Sequence, residues 1–309
     1  MNSRQKEVIE QLLNNEKKLI KELRKSYTQA LTDVKRRIKV LQADEMTQSK
    51  IYRLEYQKAL EKQISGIIDV LNGENVQAIS EHLIKAYEDG YIGTLYSLQG
   101  QGVPLLFPIN QTELINSVYK KIENMTFANR MNTNMNEFKK IVKSEISRGI
   151  ANSSTYAEIA KQLTLKTKES FNRAYRIAQT ESGRVSSEAK YDSICRAKEN
   201  GANVVKQWSS TLDMKTRPEH VALDGQIREI NEPFELQGLK AMHPHGFGVA
   251  SMDINCRCVM LERARWAVEN EKEFTKMATN KETGEAELLT FDVDSYKAFK
   301  KQYWDKYEI

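Results

Sequence analysis

Cysteine is nearly missing from this chain: three in 309 residues, an odd number. Such a count argues against a disulfide framework and for a reducing compartment. Proline (5) and glycine (14) are scarce as well, which excludes collagen-like repeats, long flexible linkers and low-complexity stretches. No apolar run approaches the roughly 18–20 residues that cross a bilayer, so no membrane partner is expected. The opening residues, MNSRQKEVIEQLLNNEKK, have no apolar core followed by a small-residue cleavage site, so no secretory signal is expected there. What is present is 40% apolar and 29% charged residues. The length allows two or three domains with cores of their own.

The net charge of +5 is unevenly spread. Residues 1–40 carry eleven Lys/Arg against five Asp/Glu, so the rest of the chain is close to neutral. Lys35, Arg36, Arg37 and Lys39 are the densest group. A basic amphipathic helix of this kind can face nucleic acid, an acidic partner, or water.

The periodicity predicts a mostly helical first half. Leu13, Ile20, Tyr27, Val34 and Leu41 recur every seven residues, and Leu23, Leu31 and Ile38 fill the three- and four-residue offsets. That is an apolar seam for another helix, of this chain or of a neighbour. A second helical pattern over 46–90 is expected to break at Asn72-Gly73 and restart at Val76. YIGTLYSLQGQGVPLLFPIN (91–110) loses charge and gains Gly, Pro and aromatics. It is expected as an apolar loop or short strands, either a docking surface or a buried crossover. Helices resume over 111–149, and Ser153 or Ser154 is expected to cap the next, with Glu158 in its first turns.

A long helix is predicted from Phe171 to about Asn200, with Ala174, Ile177, Ala178, Val185, Ala189, Ile194 and Ala197 as a small-residue packing face and Gly201 as the stop. Arg173, Arg176, Thr180 and Glu181 are its polar groups. Beyond Gly201 short segments and turns alternate, predicting a compact α+β unit over 201–265. Within it LDGQI (223–227) is expected as a tight turn between strands, with Gly225 at positive φ. The tail is expected to hold a hairpin at Thr283-Gly284 and a helix bearing Phe291, Tyr296, Phe299, Tyr303, Trp304 and Tyr307.

The chemically sharp groups crowd between Asp213 and Cys258, a window holding three of the four histidines. Three readings of them stand side by side. His220, His243 or His245, Cys256 and Cys258 could bind zinc, since imidazole and thiolate suit that ion. His220 with Asp213 or Asp224 could act as an acid–base pair beside a Cys256 nucleophile, with Arg257 lowering the thiol pKa. Or the groups are structural: Asp213 pairs with Arg217 at i, i+4, and Arg257 holds carboxylates or carbonyls bidentately. No G-x-S-x-G, H-E-x-x-H or phosphate-binding loop accompanies them.

The ordered set RIAQTE (176–181), Trp208, D-x-x-x-R-x-x-H-x-x-L-D-G (213–225), Phe234, His243-Pro244 and NCRC (255–258) resembles the phage Mu F-like family of head-morphogenesis proteins. The resemblance covers roughly 150–265 and carries the signature onto Arg176, Thr180, Glu181, Trp208, Asp213, Arg217, His220, Asp224, Gly225, Cys256, Arg257 and Cys258, with no catalytic role attached. It implies a minor head protein of a phage or prophage. Such a protein is assembled in the bacterial cytoplasm, then carried inside the head. It is associated with the portal vertex and acts in DNA packaging or ejection. Portal protein is the expected partner, with scaffold or major capsid protein beside it, and DNA bound without sequence preference through Lys35, Arg36, Arg37 and Lys39.

The fold class expected is α+β. A helical, partner- and portal-binding region spans 1–150, a Mu F-like domain 151–265, and a hairpin-and-helix tail 266–309. No cofactor is required by this reading; the one that His220, His243, Cys256 and Cys258 would accept is zinc. The alternative is a zinc- or His/Asp-dependent hydrolase or nuclease acting during packaging or injection. A third reading, a toxin carrier, follows from Mu F-like domains being fused to effectors; the 44-residue tail is expected to be too short for an added enzyme.

Overall fold

The computed structural model describes residues 1–43, 50–152, 154–211, 213, 215–269, 273–279 and 286–292. Five helices come first: α1 (Ser3–Ala43), α2 (Lys50–Gln99), α3 (Gln111–Val118), α4 (Phe127–Ala151) and α5 (Tyr156–Glu199). They are followed by β1 (Val204–Ser209), α6 (Pro218–Leu223), β2 (Ile227–Arg228), β3 (Phe234–Leu236), β4 (Leu239–Ala241), α7 (Ala250–Asp253), β5 (Val259–Ala264), α8 (Arg265–Glu269), β6 (Glu273–Thr279) and β7 (Ala286–Asp292). The α+β class read from the sequence holds.

The chain forms two compact units, and α1, α2 and α5 each contribute to both. The all-helical unit is Lys17–His82 with Lys121–Ala178. In it α1 buries Leu19, Leu23, Tyr27, Ala30, Val34 and Ile38, a spacing of three or four residues that keeps one stripe inward. The seam is therefore covered by helices of this same chain. Ser26 Oγ donates to Asn75 Oδ1 of α2 at 2.8 Å, and the Tyr27 ring meets Phe171 of α5 edge-on at 5.6 Å. The expected register is corrected at its start: Leu13 is exposed and Ile20 and Leu31 are half-buried. The side chain of Leu41 lies outside the described residues. Arg36, Arg37 and Lys39 are exposed, Lys35 is half-buried, and Arg36 pairs with Asp33 at 3.1 Å.

Two further expectations fail here for one reason. Asn72-Gly73 does not break α2, because Leu71, Asn75 and Ile79 on either side are buried on one helical face. Their burial outweighs the roughly 1 kcal/mol propensity cost of a helical glycine. Likewise α5 begins at Tyr156 rather than Phe171, because Ile159, Leu163, Thr167 and Ser170 extend the inward stripe. Its cap is Thr155, not Ser154: Thr155 N–H donates to Glu158 Oε2 at 2.7 Å and Glu158 N–H returns to Thr155 Oγ1 at 3.3 Å. That is a reciprocal capping box. Ser153 lies outside the described residues.

The second unit gathers Met1–Glu16, Leu83–Lys120 and Gln179–Ile309. Residues 91–99 are helical, completing α2, in place of the loop or strands expected. Tyr91, Thr94, Leu95 and Leu98 all face inward. Gly90 and Gly93 there are contact glycines. A Cβ at 90 would lie 2.9 Å from Ser186 O, and one at 93 would lie 2.5 Å from Val8. The small-residue face of α5 is buried as read, with Ala174, Ala178, Val185, Ala189, Ile194 and Ala197 inward and Ile177 half-buried. Gly201, at φ +87, ends the helix; its N–H and that of Ala202 close on Lys198 O and Ala197 O.

A three-stranded antiparallel sheet, order β2-β1-β5, packs onto α5 and the end of α2: Val204, Ile230 and Met260 cluster with Ile194 and Ala197 of α5 and Leu98 of α2. The outer edge of β5 is held by two amides. Gln5 Nε2 and Gln101 Nε2 both donate to Glu262 O, at 2.6 and 3.1 Å, while Gln101 Oε1 accepts from Ala264 N. An edge that would otherwise offer free backbone groups is thereby closed. LDGQI is corrected in kind: Gly225 has φ +80 as expected, but the turn joins α6 to β2 rather than two strands. β6 and β7 pair antiparallel around the expected hairpin, whose turn at 283–284 lies outside the described residues. Phe291 stands in β7 instead of in a helix; Tyr296, Phe299, Tyr303, Trp304 and Tyr307 lie outside the described residues.

Candidate metal centre

Proline at N1 starts α6 with its φ already set, and two residues on this one-and-a-half-turn helix delivers His220 to the interior, 2% exposed. Cys256 and Cys258 arrive from the turn before β5, where Asn255 takes φ +56, a left-handed conformation that asparagine tolerates. Both cysteines are buried beside Trp208, Leu223, Phe234 and Met252. His220 Nδ1 lies 3.3 Å from Cys258 Sγ and 3.6 Å from Cys256 Sγ, and the three donor atoms lie within 4.8 Å of one another. Among the described residues this is the one group of three or more His, Cys, Asp or Glu with donor atoms so placed.

The end of β1 builds the floor. Trp208 Nε1–H donates to Ser210 Oγ at 3.0 Å, Ser210 Oγ–H donates to His220 O at 2.5 Å, and Cys258 S–H donates to Ser210 Oγ at 3.3 Å. Asp224 Oδ1 accepts Ser210 N–H at 2.8 Å. Gly225 N–H and Gln226 O close on Trp208, so the L-D-G turn is stitched to the strand. Burial pushes the Cys256 thiol well above its ordinary range, and the hydrogen bond and charge of Cys258 add to it. Burial also acts to raise Cys258, but hydrogen bonds from Cys256 and His220 outweigh it and hold that thiol well below the usual range.

The other signature residues frame this centre. Arg257 grips Asp213 bidentately, at 2.5 and 2.6 Å. Burial would raise the Asp213 carboxyl, but the guanidinium holds it below its ordinary value. Arg217, expected on Asp213, donates instead to Ile254 O at 2.5 Å. The i, i+4 pairing fails because Arg217 is an extended N-cap, φ −64 and ψ 144, and no helical turn connects the two. Thr180 Oγ1 accepts Asn255 N–H at 3.3 Å, and Arg176 on the same helix is exposed. Glu181 is buried against Arg184, whose guanidinium also reaches Glu188 at 2.9 Å and Ser117 O at 2.8 Å. The sequence reading missed Arg184, Glu188 and Ser210. The i, i+3, i+7 spacing of Glu181, Arg184 and Glu188 was the signal available for the first two.

His243 is not gathered with His220 and the cysteines. Its ring lies 5.8 Å from that of Tyr191, with Nδ1 2.8 Å from Pro244 O. His245, at φ +62, docks on Gly183, where a Cβ would lie 2.4 Å from the ring. Burial lowers His243 to about 4 and His245 to about 3. In the unfolded chain both would titrate near 6.5, so between pH 6.5 and about 4 the unfolded state binds more protons. Stability therefore falls as pH falls through that window. Asp192, raised by burial to about 6, opposes this below pH 6, since it gains its proton in the folded state first. Burial raises Asp253 and Glu16 as well, so these carboxyls join Asp192 in partly offsetting the loss that the two imidazoles bring. Urea midpoints measured with chelator present should drop from pH 7 to pH 5, by on the order of 1–2 kcal/mol per imidazole. His245→Asn should flatten the slope. An unchanged midpoint would show that neither ring is held neutral.

Residues 140–261 match the family described as Phage Mu protein F like protein. The chain is 34% identical over 240 residues to NAD(+)--arginine ADP-ribosyltransferase EFV of Enterococcus faecalis, covering 76% of this chain and 49% of that protein. It is 26% identical over 189 residues to Minor head protein GP7 of Bacillus phage SPP1, covering 60% of this chain and 61% of that one. The chain thus spans about half of the first relative and less than two thirds of the second. No solved structure matches it significantly. Among the described residues no helix is long and apolar enough to cross a membrane.

Proposed function

Because residues 140–261 belong to the phage Mu protein F-like family, we propose that this chain is a minor head protein of a phage or prophage. It acts in head morphogenesis at the portal vertex and touches DNA during packaging or ejection. The observation that carries the reading is the family match, supported by the similarity to Minor head protein GP7 over 60% of the chain. It is made in the bacterial cytoplasm and ends inside the virion, with portal protein as principal partner and scaffold or major capsid protein nearby.

DNA would be met by the outward face of α1, where Arg36, Arg37 and Lys39 are exposed beside Lys35. Each phosphate neutralised by a cation releases counterions, so affinity falls with salt at a slope near −0.9 per contact. Two measurements test the proposal. The full chain should co-purify with portal protein of the same phage; no retention would overturn the portal assignment. Affinity for duplex DNA should fall steeply with salt, and Lys35→Gln, Arg36→Gln and Arg37→Gln together should flatten the slope by up to about 3. A response to salt that is flat from the start would remove DNA from the proposal.

A second reading has one observation in its favour, the 34% identity to an ADP-ribosyltransferase of which this chain spans 49%. In that reading these residues are the carrier portion of a longer effector protein. Immunoblotting of the native gene product against the 35.6 kDa expected for these residues alone separates the two.

A further inference from the structure

We propose that His220, Cys256 and Cys258 bind one zinc ion, through Nδ1 and the two sulfurs, with the fourth coordination position open to the cleft beside them. The first ground is convergence. Two sulfurs approach the same imidazole nitrogen, at 3.3 and 3.6 Å. A single Nδ1 has one lone pair or one proton, so as a hydrogen-bonding group it can serve one of them well and not both. A metal ion resolves the conflict. With Zn–N near 2.0 Å and Zn–S near 2.3 Å, tetrahedral geometry puts nitrogen and sulfur about 3.5 Å apart, the middle of the observed pair.

The second ground is the turn that carries the sulfurs. Cys258 N–H donates to Cys256 Sγ at 3.4 Å, the way a backbone amide stabilises a sulfur that bears negative charge. Asn255, at φ +56, bends the chain so that both side chains of a C-x-C fall on one side.

Donor chemistry selects the ion: two soft sulfurs and an imidazole suit zinc and reject magnesium or calcium. Coordination releases thiol protons to solvent. The cleft against the three ligands has a volume of about 10 Å³ and is also lined by Thr211, Lys215, Thr216 and Arg217. That is room for about one water molecule. Three protein ligands and a water is the open arrangement, as distinct from the four-ligand closed one of purely structural zinc.

The test uses the full chain, purified reduced, loaded with zinc and freed of excess. Elemental analysis should find one zinc per chain. Cys256→Ser and Cys258→Ser should each weaken retention by about tenfold or more, while Cys195→Ser, the third cysteine, should keep it. Cobalt substituted into the unaltered chain should give a thiolate-to-metal charge-transfer band, a readout independent of whether any variant folds. Azide should shift that cobalt spectrum by entering the fourth position. No charge-transfer band, or zinc retained by both serine variants, would overturn the site. A spectrum indifferent to azide would overturn the open position.

Discussion

Trp208→Ala should destabilise the sheet-bearing unit by about 3–5 kcal/mol, near the top of what one truncation does. Trp208 is fully buried, and its ring meets Phe234 at 5.2 Å, Phe247 at 5.8 Å and His220 at 6.2 Å. Its Nε1–H is the donor that orients Ser210, which in turn touches both His220 and Cys258. The substitution therefore removes core volume and the first member of a polar chain together. Trp208→Phe separates these, because it keeps most of the volume and loses the donor. Chemical denaturation should rank wild type above Phe above Ala. A Phe variant as unstable as Ala would show that the hydrogen bond, not the volume, dominates.

Arg184→Met should cost about 3–5 kcal/mol, although Met fills much of the same space. The guanidinium is 3% exposed, and it donates from Nε to Glu181, from Nη1 to Glu188 and from Nη2 to Ser117 O. Burial lowers its pKa, and the charge of Glu188 works against that. Without it the buried Glu181 carboxylate loses the cation beside it, whereas Glu188 keeps Lys120 at 2.6 Å. Glu181→Gln in the same chain should then recover most of the loss, because two buried charges removed together leave none stranded. A double variant no more stable than Arg184→Met would place the cost in packing instead.

The parts of the fold legible in the sequence are those where one local signal acts alone. Ala174 through Ala197 declare a close-packed face because small residues at helical spacing have few other uses, and Gly201 declares a stop. His220, Cys256 and Cys258 were legible as a group because imidazole and thiols are crowded into a short window, and their donor atoms do lie within 4.8 Å of one another. What failed failed where a distant contact overrides a local preference. Gly73 was read as a break, but burial on both sides carries the helix through it. Asp213 was paired with Arg217 on the assumption of a helical turn, but the backbone there is extended and the partner comes from 44 residues away. His243 was placed with the cysteines by nearness in sequence. The left-handed turn at His245 and the notch at Gly183 send that loop toward α5 instead.

The two amides that close the edge of β5 set the order in which this molecule can be finished. Gln5 and Glu262 are 257 positions apart in the chain. At synthesis rates of about 5–20 residues per second, Gln5 leaves the ribosome roughly 10–50 s before its partner. Val8 can settle against α2 as soon as Gly93 has emerged, but Met1 and Ile9 pack with Leu261 and must wait for it. Contacts of such long range make for slow folding. A fragment cut to the 140–261 match would lack both glutamines, and with them the closure of its own sheet.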